Sequence, residues 1–170
     1  PMRLEILRSK RRKKTVAARI VGDTLQVRAP ADLSEGELSQ VISRLRPRLE
    51  REQRRRLAAS SQELAARASF LNRRFFGGRL ALGRVVYVGN QRRRFASCSP
   101  SSSEIRVSER VAAMPRWVRD YVLVHEMAHL QEPNHSRRFW DLVRRYPHTE
   151  RARGYLLGVA MGEAMRRRGA

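Results

Sequence analysis

At 170 residues and 41% hydrophobic content, the chain is long enough for one folded domain with a real core, or for one domain with a small appendage. A formal charge of +21, dominated by arginine, attracts polyanions, with nucleic acid the first candidate, or else is spread over solvated helix faces. A single cysteine, Cys98, excludes an intramolecular disulfide, and no apolar run reaches the ~18 residues of a membrane span or the core of a signal peptide; a soluble cytoplasmic protein is expected.

Residues 3 to 9 alternate, with Leu4 and Ile6 inward and Arg3 and Glu5 outward, which predicts a strand. A basic cluster of Arg8, Lys10, Arg11, Arg12, Lys13 and Lys14 forms a turn or strand rim. Val16, Ala18 and Ile20 then resume the alternation, Gly22-Asp23 supplies a turn, and Leu25 and Val27 continue as a partner strand to Pro30. This N-terminal β-hairpin reads either as a rim facing nucleic acid or as a sheet edge blunted by lysines. Ser34 with Glu37 makes a capping box for a helix through Leu38, Val41, Ile42 and Leu45, which Pro47 is expected to break or restart. Arg51 to Arg56 reads as polar helix or linker. Ser60 with Glu63 repeats the box before Leu64, Ala65, Ala68, Leu71 and Phe75, and Gly77-Gly78 ends that helix. Residues 1–58 are therefore expected as a basic hairpin and helix, and residues 59–170 as the core domain.

Strand-like runs follow at 84 to 88, 94 to 98 and 104 to 107, separated by Gly89-Asn90 and by the Ser/Pro cluster 99–103. Pro115 suits the first turn of a helix whose apolar body is Trp117, Val118, Tyr121, Val122 and Val124. Ser136 can cap the next helix, with Phe139, Trp140, Leu142 and Val143 as its buried stripe before Pro147. Thr149 and Glu150 begin a final helix containing Tyr155, Leu156, Leu157, Val159 and Met161, whose negative end suits Arg166 to Arg168.

Three of the four histidines fall within eleven residues, as His125-Glu126-x-x-His129 and then His135. On a helix His125 and His129 lie about 40° apart around the axis and about 6 Å apart along it, so both imidazoles can reach one ion, while Glu126 projects to the side. That pattern reads as a zinc site: three protein ligands leave a fourth position for water, and a flanking carboxylate can take its proton. Pro133 is expected to stop the helix near Gln131, and Asn134, which tolerates a left-handed turn, to return His135 to the open side of the metal. Glu132 is the alternative third ligand if the helix runs through Pro133. The spacing is that of metzincins, but Glu132 stands where they carry glycine and no Met-turn follows. Cys98 reads as buried packing, and Tyr146, His148 and Tyr155 are candidates for polarising a carbonyl.

The blocks RAP (28–30), LNRRFFGG (71–78), NQRRRFASCSP (90–100) and above all YVLVHEMAHLQEPNHSRRFW (121–140) resemble the YgjP-like metallopeptidases, compact zincins related to the SprT and WLM groups. One departure is Phe95-Ala96-Ser97-Cys98, where that family usually shows Trp-Gly-Ser-Cys. The resemblance implies an α+β zincin-like fold, with a small antiparallel-rich sheet packed on the active-site helix, an N-terminal β-hairpin and a helical C-terminus. It also implies Zn2+ held by His125, His129 and His135, Glu126 as general base, and a protein or peptide substrate paired along 94–98 or 104–107. The similarity to SprT and WLM suggests protein bound on DNA as the substrate, with DNA or RNA as a partner of the basic surface. The competing reading is a basic nucleic-acid-binding protein with a structural zinc, for which a fourth protein ligand is missing.

Overall fold

The computed structural model describes residues 3–21, 24–91 and 93–168, with side chains through residue 165. The fold is α+β, and the chain groups into two units, Pro1–Ala59 and Ser60–Ala170. The first unit holds β1 (Arg3–Ser9), β2 (Ala17–Val21), β3 (Thr24–Pro30) and the opening turns of α1 (Glu35–Phe76). Its core forms because β3 alternates strictly: Leu25, Val27 and Ala29 are fully buried against Leu38 and Ile42 of α1. Val16, Ala18 and Ile20 pack onto the same cluster, and β2 pairs antiparallel with β3 as the expected hairpin. Its expected turn, Gly22-Asp23, lies outside the described residues.

Three expectations fail for physical reasons. Leu4 and Ile6 are not interior, being 44% and 37% exposed. Strand β1 lies parallel to β3 at the margin of the sheet, where β3 already fills the core, so its apolar side chains only line a groove with Leu38, Ile42 and Pro47. Pro47 does not break the helix either: α1 runs 42 residues without interruption. An interior proline costs about 3 kcal/mol, which the strong helix formers Arg, Leu, Glu and Gln on its C-terminal side offset by propensity. The Ser34 box does cap this helix, with Ser34 N–H donating to Glu37 Oε2 at 3.1 Å and Glu37 N–H to Ser34 Oγ at 3.3 Å. The second box does not start a helix, because residues 60–63 are already inside one. At its far end Gly77 (φ 63) and Gly78 (φ 72) take the left-handed conformation that lets the Gly78 N–H return to the Asn72 carbonyl at 3.0 Å.

The second unit carries β4 (Val85–Val88), β5 (Ala96–Ser99), β6 (Glu104–Ser108), the short α2 (Glu109–Ala112), α3 (Arg116–Ala128), α4 (Arg137–Val143) and α5 (Thr149–Arg168). Sheet order is β4-β6-β5, with β4/β6 parallel and β5/β6 antiparallel. The sheets are therefore mixed, not antiparallel-rich: in each, the third strand inserts between the first two. Central β6 buries Ile105 and Val107, leaving β5 as an edge strand, and α3 packs on β5, β6, α4 and α5. Ser136 caps α4, its Oγ accepting from the Phe139 N–H at 3.3 Å. The side chains of Arg166 to Arg168 lie outside the described ones.

Within this unit the later turns of α1 are tied to α3 by a bidentate pair, Arg67 Nε to Asp120 Oδ1 at 2.7 Å and Nη2 to Oδ2 at 2.6 Å. The Asp120 side chain is 6% exposed and that of Arg67 26%. Arg67→Ala strands a buried carboxylate and is expected to cost about 3–5 kcal/mol. Asp120→Asn keeps an acceptor for a guanidinium that reaches water, and is expected to cost about 1–2 kcal/mol. Urea denaturation of the two variants side by side checks this; equal losses would refute the asymmetry.

Candidate metal centre

Helix α3 starts after Pro115, whose φ of −53 suits the approach to a helix and which stands at the N-cap, just ahead of the first turn. The buried run Tyr121 to Val124 seats the helix, which brings His125 and His129 to one face as their four-residue spacing requires. The helix closes at Ala128, earlier than expected, with His129 as a C-cap still in helical conformation (φ −66, ψ −18). Gln131 and Glu132 N–H groups both bond back to the Ala128 carbonyl, at 3.0 and 2.9 Å. Asn134 is not left-handed; among the described non-glycine residues only Ser103 has a positive φ. The chain returns instead through a three-residue turn centred on His135, closed by Ser136 N–H to the Asn134 carbonyl at 2.7 Å.

This turn brings the three imidazoles together, with ligand atoms all within 4.8 Å of one another. His125 Nε2 and His135 Nε2 are 3.2 Å apart. That is close to the edge of a tetrahedron with metal–nitrogen bonds of 2.0–2.1 Å, about 3.3–3.4 Å. The other ring nitrogens have partners that leave Nε2 free: His129 Nδ1–H donates to the Glu132 carbonyl at 3.2 Å, and His125 Nδ1 faces the Tyr121 hydroxyl at 3.4 Å. Burial and the neighbouring imidazoles push His125 down to about 3, so its ring is neutral at any physiological pH. The donor set thus fits a divalent cation of zinc type. Glu132 offers its carbonyl to the cluster rather than its carboxylate, and so does not replace His135.

Phe139 and Trp140 support the rings, a role their helical spacing alone does not announce. Phe139, fully buried, lies 4.9, 4.5 and 4.6 Å from the ring centres of His125, His129 and His135. Trp140 stacks on His135 at 5.8 Å, and the Arg153 guanidinium lies 4.5 Å over the Trp140 ring.

Glu126 lines a cavity of about 240 Å³ together with His125, Phe95, Ala96, Tyr121, Val122 and Leu156. Burial pushes its carboxyl up to about 7, against the opposing pull of Arg94. Cys98 on β5 is half-buried and outside the imidazole cluster; burial and the Glu126 charge push its thiol up to about 11, so it stays protonated. Tyr146, His148 and Tyr155 do not line this cavity. The Tyr146 hydroxyl donates to the Trp117 carbonyl at 2.9 Å, and Tyr155 packs edge-on against Trp117 at 5.6 Å. The phenol beside the imidazoles is that of Tyr121.

Residues 83–157, which include all four motif residues, match the family model described as YgjP-like, metallopeptidase domain. The blocks at 28–30 and 71–78 lie outside that span. No curated protein matches the chain. Among solved structures, the metallopeptidase zymogen of Pyrococcus abyssi abylysin is 22% identical over 54% of this chain and 86% of its own, with a TM-score of 0.47. No helix among the described residues is long and apolar enough to cross a membrane. The match falls on the helix, the returning turn and the sheet just described, so over residues 83–157 the chain is similar to the YgjP-like metallopeptidase domain.

Proposed function

We propose that the chain is a zinc-dependent peptidase in which His125, His129 and His135 hold the metal and Glu126 is the general base. The observation that carries this reading is the meeting of three imidazoles within 4.8 Å beside a buried carboxylate. When bound, zinc supplies a Lewis acid for water and for the scissile carbonyl. Glu126, held near 7, takes the proton of the attacking water and passes it to the leaving amine. Helix α3 fixes the carboxylate and two of the imidazoles in one register, so little reorganises during the reaction. An extended peptide adds along the outer edge of β5; β6 has neighbours on both sides and cannot serve. A structural zinc fits less well, because it would be closed by four protein ligands and the described cluster holds three. Metal analysis of protein purified without chelators, followed by digestion of a peptide library, tests the reading; absence of zinc or of cleavage would defeat it.

The proposed setting is the cytoplasm, on substrates associated with DNA or RNA. The charge of +21 supports this, as does a groove in the second unit of about 460 Å³ where Arg67, Arg74 and Arg116 lie beside Phe70 and Trp117. If Arg74 and Arg116 meet phosphates, Arg67 being held by Asp120, affinity for single-stranded DNA falls with log salt at a slope of about −1.4, from roughly −0.7 per contact. A binding isotherm repeated from 50 to 300 mM salt (about those limits) reads the slope. A flat response removes nucleic acid from the proposal and leaves the peptidase untouched.

A further inference from the structure

The long helix α1 carries a surface that neither the metal centre nor the groove beside Arg74 and Arg116 uses. Between residues 44 and 56 it has seven arginines and two glutamates. Arg44, Arg48, Arg51 and Arg55 recur at steps of four, three and four, so they share a band about 60° wide and about 16 Å long on one side of the helix. All four are exposed, and among the described residues no ion pair engages any of them. Another side of the helix is already committed: Leu38, Ile42 and Leu49, about 130° around the axis from the band, pack on Leu25, Val27 and Ala29. The sheet of the first unit thus holds the arginines outward. Their spacing sets like charges side by side, 44 with 48, 48 with 51 and 51 with 55, which an isolated helix disfavours. Glu52 is within reach of Arg48 and Arg55 by spacing and pairs with neither, so the guanidiniums stay open to an outside anion.

We infer that this band is a docking surface for duplex DNA, one that grips phosphates without reading the sequence. It is a second surface, independent of the peptidase site and of the groove at Arg74 and Arg116. A guanidinium meets a phosphate through two parallel hydrogen bonds, and over the length of the band a duplex presents roughly ten phosphates, one per ~1.7 Å. The form of the polyanion follows from what the helix has and lacks. Residues 44–56 include no Phe, Trp or Tyr, so there is no platform on which the bases of a single strand could stack. An α-helix about 10–12 Å across with its side chains fits a B-form major groove about 12 Å wide, whereas the deep, narrow major groove of duplex RNA shuts it out. An anionic bilayer is the poorer match, because Leu38, Ile42 and Leu49 are taken up by the sheet and cannot enter the acyl boundary.

Fluorescence anisotropy of the full chain with a labelled duplex of mixed sequence, about 20 base pairs or two helical turns, is the test. Four phosphate contacts at about −0.9 each give a slope of about −3.6 in log affinity against log salt, a loss of about 150-fold between about 50 and 200 mM. Replacing Arg44, Arg48, Arg51 and Arg55 together by Gln is expected to remove that slope, and each single replacement to flatten it by about 0.9. Glutamine is nearly as good a helix former as arginine, and the same four positions as Lys, which keep the charge, are expected to keep the slope. A control with the same loss of charge replaces Arg79, Arg84, Arg138 and Arg144, all exposed on the second unit, by Gln and is expected to change the slope by less than about one contact. Equal flattening by band and control variants overturns the inference, since the charge then acts only as a diffuse field. So does binding of an RNA duplex or a single strand of the same length as tightly as the DNA duplex, or binding of phosphatidylserine vesicles in place of DNA. No hydrolysis is measured and Arg74 and Arg116 are intact throughout, so failure of the band leaves the peptidase and the groove standing, and their failure leaves the band.

Discussion

Glu126→Gln retains its metal and loses roughly 10²–10⁴-fold in kcat/KM, the contribution of a positioned general base. The size follows from where the carboxylate sits. Glu126 is 8% exposed and lines the cavity beside His125, while the imidazole cluster proposed to hold the metal does not include it. Glutamine fills the same volume, so the walls and the metal ligands stay in place, but an amide cannot accept a proton at neutral pH. A second measurement separates lost chemistry from lost fold. The folded carboxyl titrates near 7, above its ordinary 4.5, so in the metal-free chain the charged form is disfavoured on folding. Its drag on stability is absent below about 4.5 and grows as pH rises through 7. Metal-free Glu126→Gln is therefore expected to melt no lower than the metal-free parent at pH 8 (about one unit above that value). Thermal melts with metal analysis check the fold, and peptide hydrolysis checks the chemistry; a variant that still turns over would end the assignment.

What could be read from the sequence was what is local. The H-E-x-x-H face depends only on helical geometry, and the Ser34–Glu37 box on a three-residue spacing, so both needed no knowledge of the rest of the fold. Strand positions were legible for the same reason, since Leu25, Val27, Ile105 and Val107 alternate with polar residues. Sheet order was not. Nothing in the run Ala96 to Ser99 reveals that β6 will pair on its other side with β4, because that choice is made by long-range packing. Pro47 misled because local propensity is a weak prior over 42 residues of otherwise strong helix formers. At the centre itself the His135 ring does come beside the other two imidazoles, but by a tight turn centred on His135 and not by the left-handed Asn134 that was expected. Leu156 is 21 residues from His135 in the chain, and only the fold makes it a neighbour of Glu126.

Stripping the metal lowers the melting temperature by about 15 °C, and His135→Ala abolishes that difference while leaving the metal-free melt almost unchanged. An ion that binds only the folded chain at 1,000 times its dissociation constant adds about 4.1 kcal/mol. At about 4 °C per kcal/mol for a domain of this size, the shift follows. His135 is exposed and sits on a turn, so its ring adds little to the core, yet without it only the two helix imidazoles remain to hold the ion. His125→Ala should behave differently. That ring packs against Phe139 at 4.9 Å and faces the Tyr121 hydroxyl, so its removal opens a hole under α3 as well as taking a ligand. The metal-free stability of His125→Ala is then expected to fall by about 1–2 kcal/mol, in the range of partial core truncations, in addition to losing the response to metal. Calorimetry of parent and variants with and without chelator distinguishes these cases. A parent indifferent to chelator would mean that the three rings meet without holding an ion. A His135→Ala chain that loses its metal-free stability would place His135 in the packing of the unit rather than in a ligand set.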